Sequence, residues 1–164
     1  MGGHPPTVWG DISAPPHMGG SPPRPNAQEE RKEMATEFFM VMDPPTCTYQ
    51  EKKVAVIKGK PVLYDPPEVN TARLKLIGHL AKHKPAKQSE CGIRLIVKWC
   101  FPRGRHKNGE YRITKPDTDN LQKLLKDCMT TAGFWKDDAL VASEIVEKFW
   151  AEIPGIYVRI EELE

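Results

Sequence analysis

Ile93, Leu95, Val97 and Trp99 alternate with Arg94, Ile96, Lys98 and Cys100. A period of two suits an extended strand with one face in a core, because successive side chains point to opposite sides of a sheet. Some twenty residues later the period changes. Leu121, Leu124, Leu125, Cys128 and Ala132 fall at helical spacing, so a helix is predicted from about Asn120 to Thr131. Thr118 or Asp119 can cap its start, and Gly133 can end it. A sheet strand and a helix that each need a core partner constrain the rest of the chain.

The remaining elements alternate in the same way. Phe38 to Met42 reads as a strand ended by Asp43-Pro44-Pro45. Lys53 to Ile57 and Val62 to Tyr64 read as a hairpin about a Lys58-Gly59-Lys60-Pro61 turn. Asn70 can cap a helix from Thr71 to about His83, with Leu74, Ile77 and Leu80 as its apolar stripe and Pro85 closing it. Tyr111 to Thr114 reads as a short strand, and Val141 to Trp150 and Ile156 to Ile160 as longer ones. Phe134 and Trp135 are expected to anchor the end of the second helix in the core. Hairpins mixed with helices favour an α+β fold, a mixed sheet with packed helices, over a doubly wound parallel sheet. Seven prolines and five glycines in residues 1–28 leave little to bury. Residues 1–33 are therefore expected to form a disordered Pro/Gly-rich tail, and residues 34–164 one domain.

No apolar run approaches the roughly 18 residues of a membrane span, and no secretory signal is visible. Cys47, Cys91, Cys100 and Cys128 show no paired CxxC spacing. A zinc ribbon is not expected, Cys128 reads as a buried thiol, and a reducing, cytoplasmic compartment follows. The net charge is only +2, yet residues 52–126 hold 18 Lys/Arg against 6 Asp/Glu, while residues 127–164 hold 3 against 9. A basic stretch of this kind suits a polyanion, although a solvated lysine-rich face has the same composition. The cations that could meet such a polyanion are Lys52, Lys53, Lys58 and Lys60 of the hairpin, and Arg103, Arg105 and Lys107 of a glycine-containing loop.

Within the basic stretch lies Lys115-Pro116-Asp117-Thr118-Asp119-Asn120-Leu121-Gln122-Lys123. Residues two apart in an extended segment project to one face, so Asp117 and Asp119 can converge ahead of the helix. Their paired charge calls for a cation, and Mg²⁺ suits carboxylate oxygens completed by water and substrate phosphate. Lys123, one helical turn after Asp119, can hold a phosphate or stabilise developing negative charge. Asp137-Asp138 follows the helix, and a tight return would bring one of the two back to the cluster. The spacing does not separate them. The plain alternative is an acidic helix cap supported by the helix dipole. His79, His83 and His106 sit in basic segments and are set aside as ligands.

Pro116 to Lys123, with Asp127, Ala132-Gly133-Phe134-Trp135, Asp137-Asp138 and Val141, resembles the RusA family of Holliday junction resolvases. The resemblance is closest over residues 110–164, extends back to about 36, and omits the first 30. It implies a small two-fold homodimer, found among phages and prophages of bacteria, that needs Mg²⁺ or Mn²⁺. It implies paired symmetric nicks in four-way junction DNA that leave 5′-phosphate and 3′-hydroxyl ends, in recombination and repair. It places the metal-binding aspartates on Asp117, Asp119 and Asp138 and the essential lysine on Lys123, all four as catalytic positions. A less selective nuclease of flaps or forks would use the same residues, and a non-catalytic binder of branched DNA would use the acidic pair only as a cap.

Overall fold

The structure, a computed structural model, describes residues 35–47 and 53–163. The N-terminal tail assignment and Lys52 lie outside them. Six strands and two helices follow in the order β1 (Ala35–Val41), β2 (Lys53–Ile57), β3 (Lys60–Tyr64), α1 (Pro67–Leu80), β4 (Gly92–Pro102), α2 (Thr118–Ala132), β5 (Val141–Ala151) and β6 (Gly155–Leu163). Short 3₁₀ turns extend α1 over Ala81–His83 and precede β5 over Asp138–Leu140.

β4 is the spine of the molecule. It lies between β6 and β5 in a four-stranded sheet of order β1-β6-β4-β5, antiparallel to β6 and parallel to β5. Ile93, Leu95, Val97, Trp99 and Phe101 all point into one core, as the alternation requires. Phe38 and Met40 of β1 and Ile156, Val158 and Ile160 of β6 share that face. Both helices pack on it, giving the expected α+β architecture with a mixed sheet. The opposite face carries ion pairs instead, including Arg94–Glu161 at 3.6 Å and Arg159–Glu37 at 3.2 Å.

α2 buries Leu121, Leu124, Leu125, Cys128 and Met129, and Gly133 ends it at φ 87°, in the left-handed region that favours glycine. Trp135 is fully buried and donates its Nε1 hydrogen to Thr130 Oγ1 at 2.8 Å, closing the helix end as expected. The N-cap of α2 is Asp117 rather than Thr118 or Asp119, because the helix begins at Thr118, two residues before the start its apolar period shows.

α1 departs further. It starts at Pro67, not Thr71, because proline at the first helical position loses nothing by lacking an N–H. Asn70 therefore lies inside the first turn. The buried face is Val69, Ala72, Leu76 and Leu80, while Leu74 is exposed. Steps of three fall short of a turn, so Leu74 lies about 120° around the helix from Leu80, whereas steps alternating three and four stay in line. The predicted strand at Tyr111–Thr114 is reduced to a single bridge between Tyr111 and Phe149.

β2 and β3 form a separate two-stranded sheet around a two-residue turn, Lys58-Gly59, with positive φ at both positions. Val54, Val56 and Leu63 are all exposed on it.

Two packing features give direct tests. A Cβ at Gly155 would overlap the Phe39 ring and the Met40 carbonyl oxygen. Gly155→Ala should lower stability by about 1–3 kcal/mol, measured by denaturant unfolding. Burial raises the Cys128 thiol pKa to about 11. At pH 8 it should resist alkylation in the folded protein while exposed Cys91 reacts, and mass spectrometry should find Cys128 labelled only after unfolding.

Candidate active site

The chain leaves β4 at Pro102, turns through the basic loop and runs back along β5 before entering α2. Gly109 N donates to Trp150 O and Trp150 N to Glu110 O, both at 2.8 Å, and Arg112 N donates to Lys148 O at 2.9 Å. Asn108 Oδ1 accepts from Glu152 N at 2.9 Å. The loop is therefore stitched to the C-terminal half of β5. Within it, His106 Nδ1 lies 3.1 Å from Glu110 Oε1, and its ring stacks on Trp150 with centroids 4.3 Å apart. The Lys107 amide and His106 hold the Glu110 carboxyl below its ordinary pKa. Arg103, Arg105 and Lys107 are all exposed on this loop at the end of β5, and Arg103 Nη1 donates to His106 O at 3.3 Å.

Asp117 sits at that junction in extended conformation, the last residue before α2. Its carbonyl accepts the first helical bond, from Leu121 N at 3.2 Å, but its side chain caps nothing. Asp119 lies in the first turn, and Lys123 one turn further; all three are exposed. The amide groups of the first turn have no helical partner and face the same end. This combination of two exposed carboxylates, free amides and an exposed lysine suits a hard divalent cation with a phosphate beside it.

Lys148 stands next to Asp117. Burial pushes its ammonium pKa down, the positive charge of Arg112 adds to that, and the Asp117 carboxylate opposes both. Nothing in the sequence marks Lys148 or Arg112 as part of a site. Lys148 is one polar residue in a strand, and it reaches the acidic motif only because β5 runs alongside it.

Asp138 is elsewhere. It lines a polar cavity of about 400 Å³ with Arg73, Asp127, Thr130, Thr131, Lys136 and Asp137, at the C-terminal end of α2. Two rulers measure the separation. Along α2, eleven or twelve residues from Asp119 to Thr130 and Thr131 span about 17 Å. Along β5, the seven residues from Val141 to Lys148 span about 23 Å. No three His, Cys, Asp or Glu side chains come together as a metal-ligand group among the described residues. The tight return expected after the helix does occur, but it leads into the start of β5 and not back to Asp119. At that return Asp137 Oδ1 accepts from Ala139 N at 2.8 Å and caps the 3₁₀ turn, whereas Asp138 makes no such bond.

Two of the histidines set aside as ligands have structural roles. His83 stacks on Phe38 at 4.4 Å, and His106 on Trp150. Lys53, Lys58 and Lys60 are exposed on the separate hairpin, and no helix among the described residues is long and apolar enough to cross a membrane.

Comparison with known proteins adds two findings. The RusA family, described as endodeoxyribonuclease RusA, matches residues 43–161. A curated relative from Lactococcus phage r1t, named crossover junction endodeoxyribonuclease rusA, is 29% identical over 133 residues, which cover 79% of this chain and all of the relative. The match takes in both ends of α2, the stitched loop and β5, and the chain belongs to the RusA family of endodeoxyribonucleases, enzymes that cleave phosphodiester bonds in DNA.

Proposed function

We propose that the chain resolves four-way DNA junctions by paired, symmetric nicks, with Mg²⁺ or Mn²⁺ as cofactor, in the cytoplasm of a bacterium or phage-infected cell. The observation that carries this reading is the start of α2 in a RusA-family chain. Asp117, which makes no side-chain cap bond, and Asp119 lie exposed there, in the same first turns as Lys123 and the helix-start amides. The name of the phage relative supplies the substrate, a crossover junction.

Asp117 and Asp119 would hold the metal. When bound, a divalent cation supplies an activated water and polarises the phosphoryl group. Lys123 would hold the scissile phosphate and offset the charge that develops on it. The helix amides favour a phosphate oxygen at the same place. The oxygen donors at this end fit such a cation, and among the described residues one chain supplies two carboxylates there, Asp117 and Asp119.

A homodimer would complete the set. If two copies meet with their α2 helices antiparallel across a two-fold axis, Asp138 of the partner subunit falls beside Asp117 and Asp119 of the first, and the converse holds at the second site. Two equivalent sites also match a substrate that needs two nicks. Arg103, Arg105 and Lys107, on the loop stitched to β5, would bind phosphates of the junction arms, with Lys53, Lys58 and Lys60 extending the basic surface and Lys52 beside them in sequence. Selectivity for branched DNA would rest on shape, since the arms present no fixed base sequence.

Asp119→Asn should abolish Mg²⁺-dependent nicking of a synthetic four-way junction while leaving gel-shift binding intact. Substantial cleavage by that variant would overturn the assignment, and equal initial rates on junction, flap and linear duplex would overturn the substrate. The shared site has its own test. Asp119→Asn and Asp138→Asn are each expected to be inactive alone. Mixed and reassociated, they should regain nicking of single strands, because one heterodimer site then holds only native aspartates. No recovery in verified heterodimers would mean that the site lies within one chain.

A further inference from the structure

Three consecutive carbonyl oxygens precede Asp117, and two cations take all of them. Lys148 Nζ donates to Thr114 O at 2.8 Å and to Pro116 O at 2.7 Å. Arg112 Nη2 donates to Lys115 O, and Arg112 Nε to Thr114 Oγ1 at 3.2 Å. The guanidinium is itself clamped, 3.9 Å over the Phe101 ring and 4.6 Å over the Trp150 ring. His106 stacks on the same indole. The main chain ties the two cations together as well, through Arg112 N to Lys148 O.

We propose that Lys148 is a positioning residue of the active site, which fixes the Thr114–Pro116 segment so that Asp117 is presented at the helix start in one orientation. The inference rests on the reading of Asp117 as a metal ligand given above. Lys148 touches no reacting atom. Two of its three N–H groups are spent on main-chain carbonyls, which sets it apart from a lysine that carries DNA phosphate. Its work is to hold a segment that has no ladder of its own. Between the Tyr111 bridge and the first bond of α2, the chain is fastened by Arg112 and Lys148 alone among the described main-chain and side-chain bonds.

The test uses the full chain and three variants. Wild type, Lys148→Met, Lys148→Gln and Lys148→Arg are compared for Mn²⁺ affinity by electron paramagnetic resonance, for junction binding without metal by gel shift, and for thermal midpoint. Removing a side chain that orients a metal ligand typically weakens affinity by about 10- to 100-fold, and Lys148→Met should fall in that range. Lys148→Gln, which keeps an amide donor, should fall between, and Lys148→Arg should recover most of the loss. Metal-free junction binding should stay near the wild-type value in every variant that folds. Wild-type Mn²⁺ affinity in Lys148→Met or Lys148→Gln would overturn the proposal. So would a parallel loss of metal-free junction binding, which would make Lys148 a DNA contact, or a loss in all three variants that merely follows the unfolded fraction. Wild-type protein that neither binds Mn²⁺ nor cuts a junction would count against the site reading itself. Wild type that does both, with Lys148→Met its equal, would count only against Lys148.

Discussion

The parallel pairing of β4 with β5 governs the position of everything that bears on function. A parallel partner cannot be reached by a tight turn, so the chain must travel back the full length of the strand before it can pair. Here the basic loop and α2 make that journey. The groups at the start of the crossover and those at its end are therefore a strand length apart by topology. Asp117 and Asp119 belong to the start, Asp138 to the end. Their separation follows from the connection and not from any local distortion, and no rotamer change along α2 would close it.

The acidic pair can be a cap and a ligand set at once, but the structure divides the labour. At the return before β5, Asp137 spends its side chain on a main-chain amide. At the start of α2, Asp117 occupies the cap position without making the cap bond. A helix start usually gains from such a bond, worth about 1 kcal/mol. Leaving it unmade keeps the exposed Asp117 carboxylate out of a cap bond, at a helix end whose field favours negative charge. A cap role would explain a bonded aspartate, as at Asp137; it does not describe Asp117, whose side chain makes no cap bond.

Much of this was legible in the sequence, for definable reasons. The alternation at Ile93–Trp99 and the helical period at Leu121–Cys128 survive because each reports a face that is wholly buried. The Gly133 terminator and the Trp135 anchor read correctly because their chemistry leaves few alternatives. Leu74 misled because three leucine or isoleucine residues at equal spacing look like a stripe while drifting around the helix. The reach of Asp138 could not be read at all. It depends on whether β5 pairs parallel or antiparallel to β4, and β5 carries the same residues either way. Lys148 and Arg112 were invisible for a related reason: their partners are main-chain carbonyls, which leave no mark in a sequence.

The stitching of residues 108–112 to β5 has a consequence for association. A sheet of order β1-β6-β4-β5 has two edges, and this segment occupies one of them along its C-terminal half. Among the described residues β1 is left as the long open edge. A sheet with two free edges can add neighbours without end, as fibres do. One whose second edge is covered over half its length offers a shorter stretch for strand pairing on that side. The turn that carries the basic residues thus also shields part of a sheet edge, leaving less of it open to unwanted strand pairing.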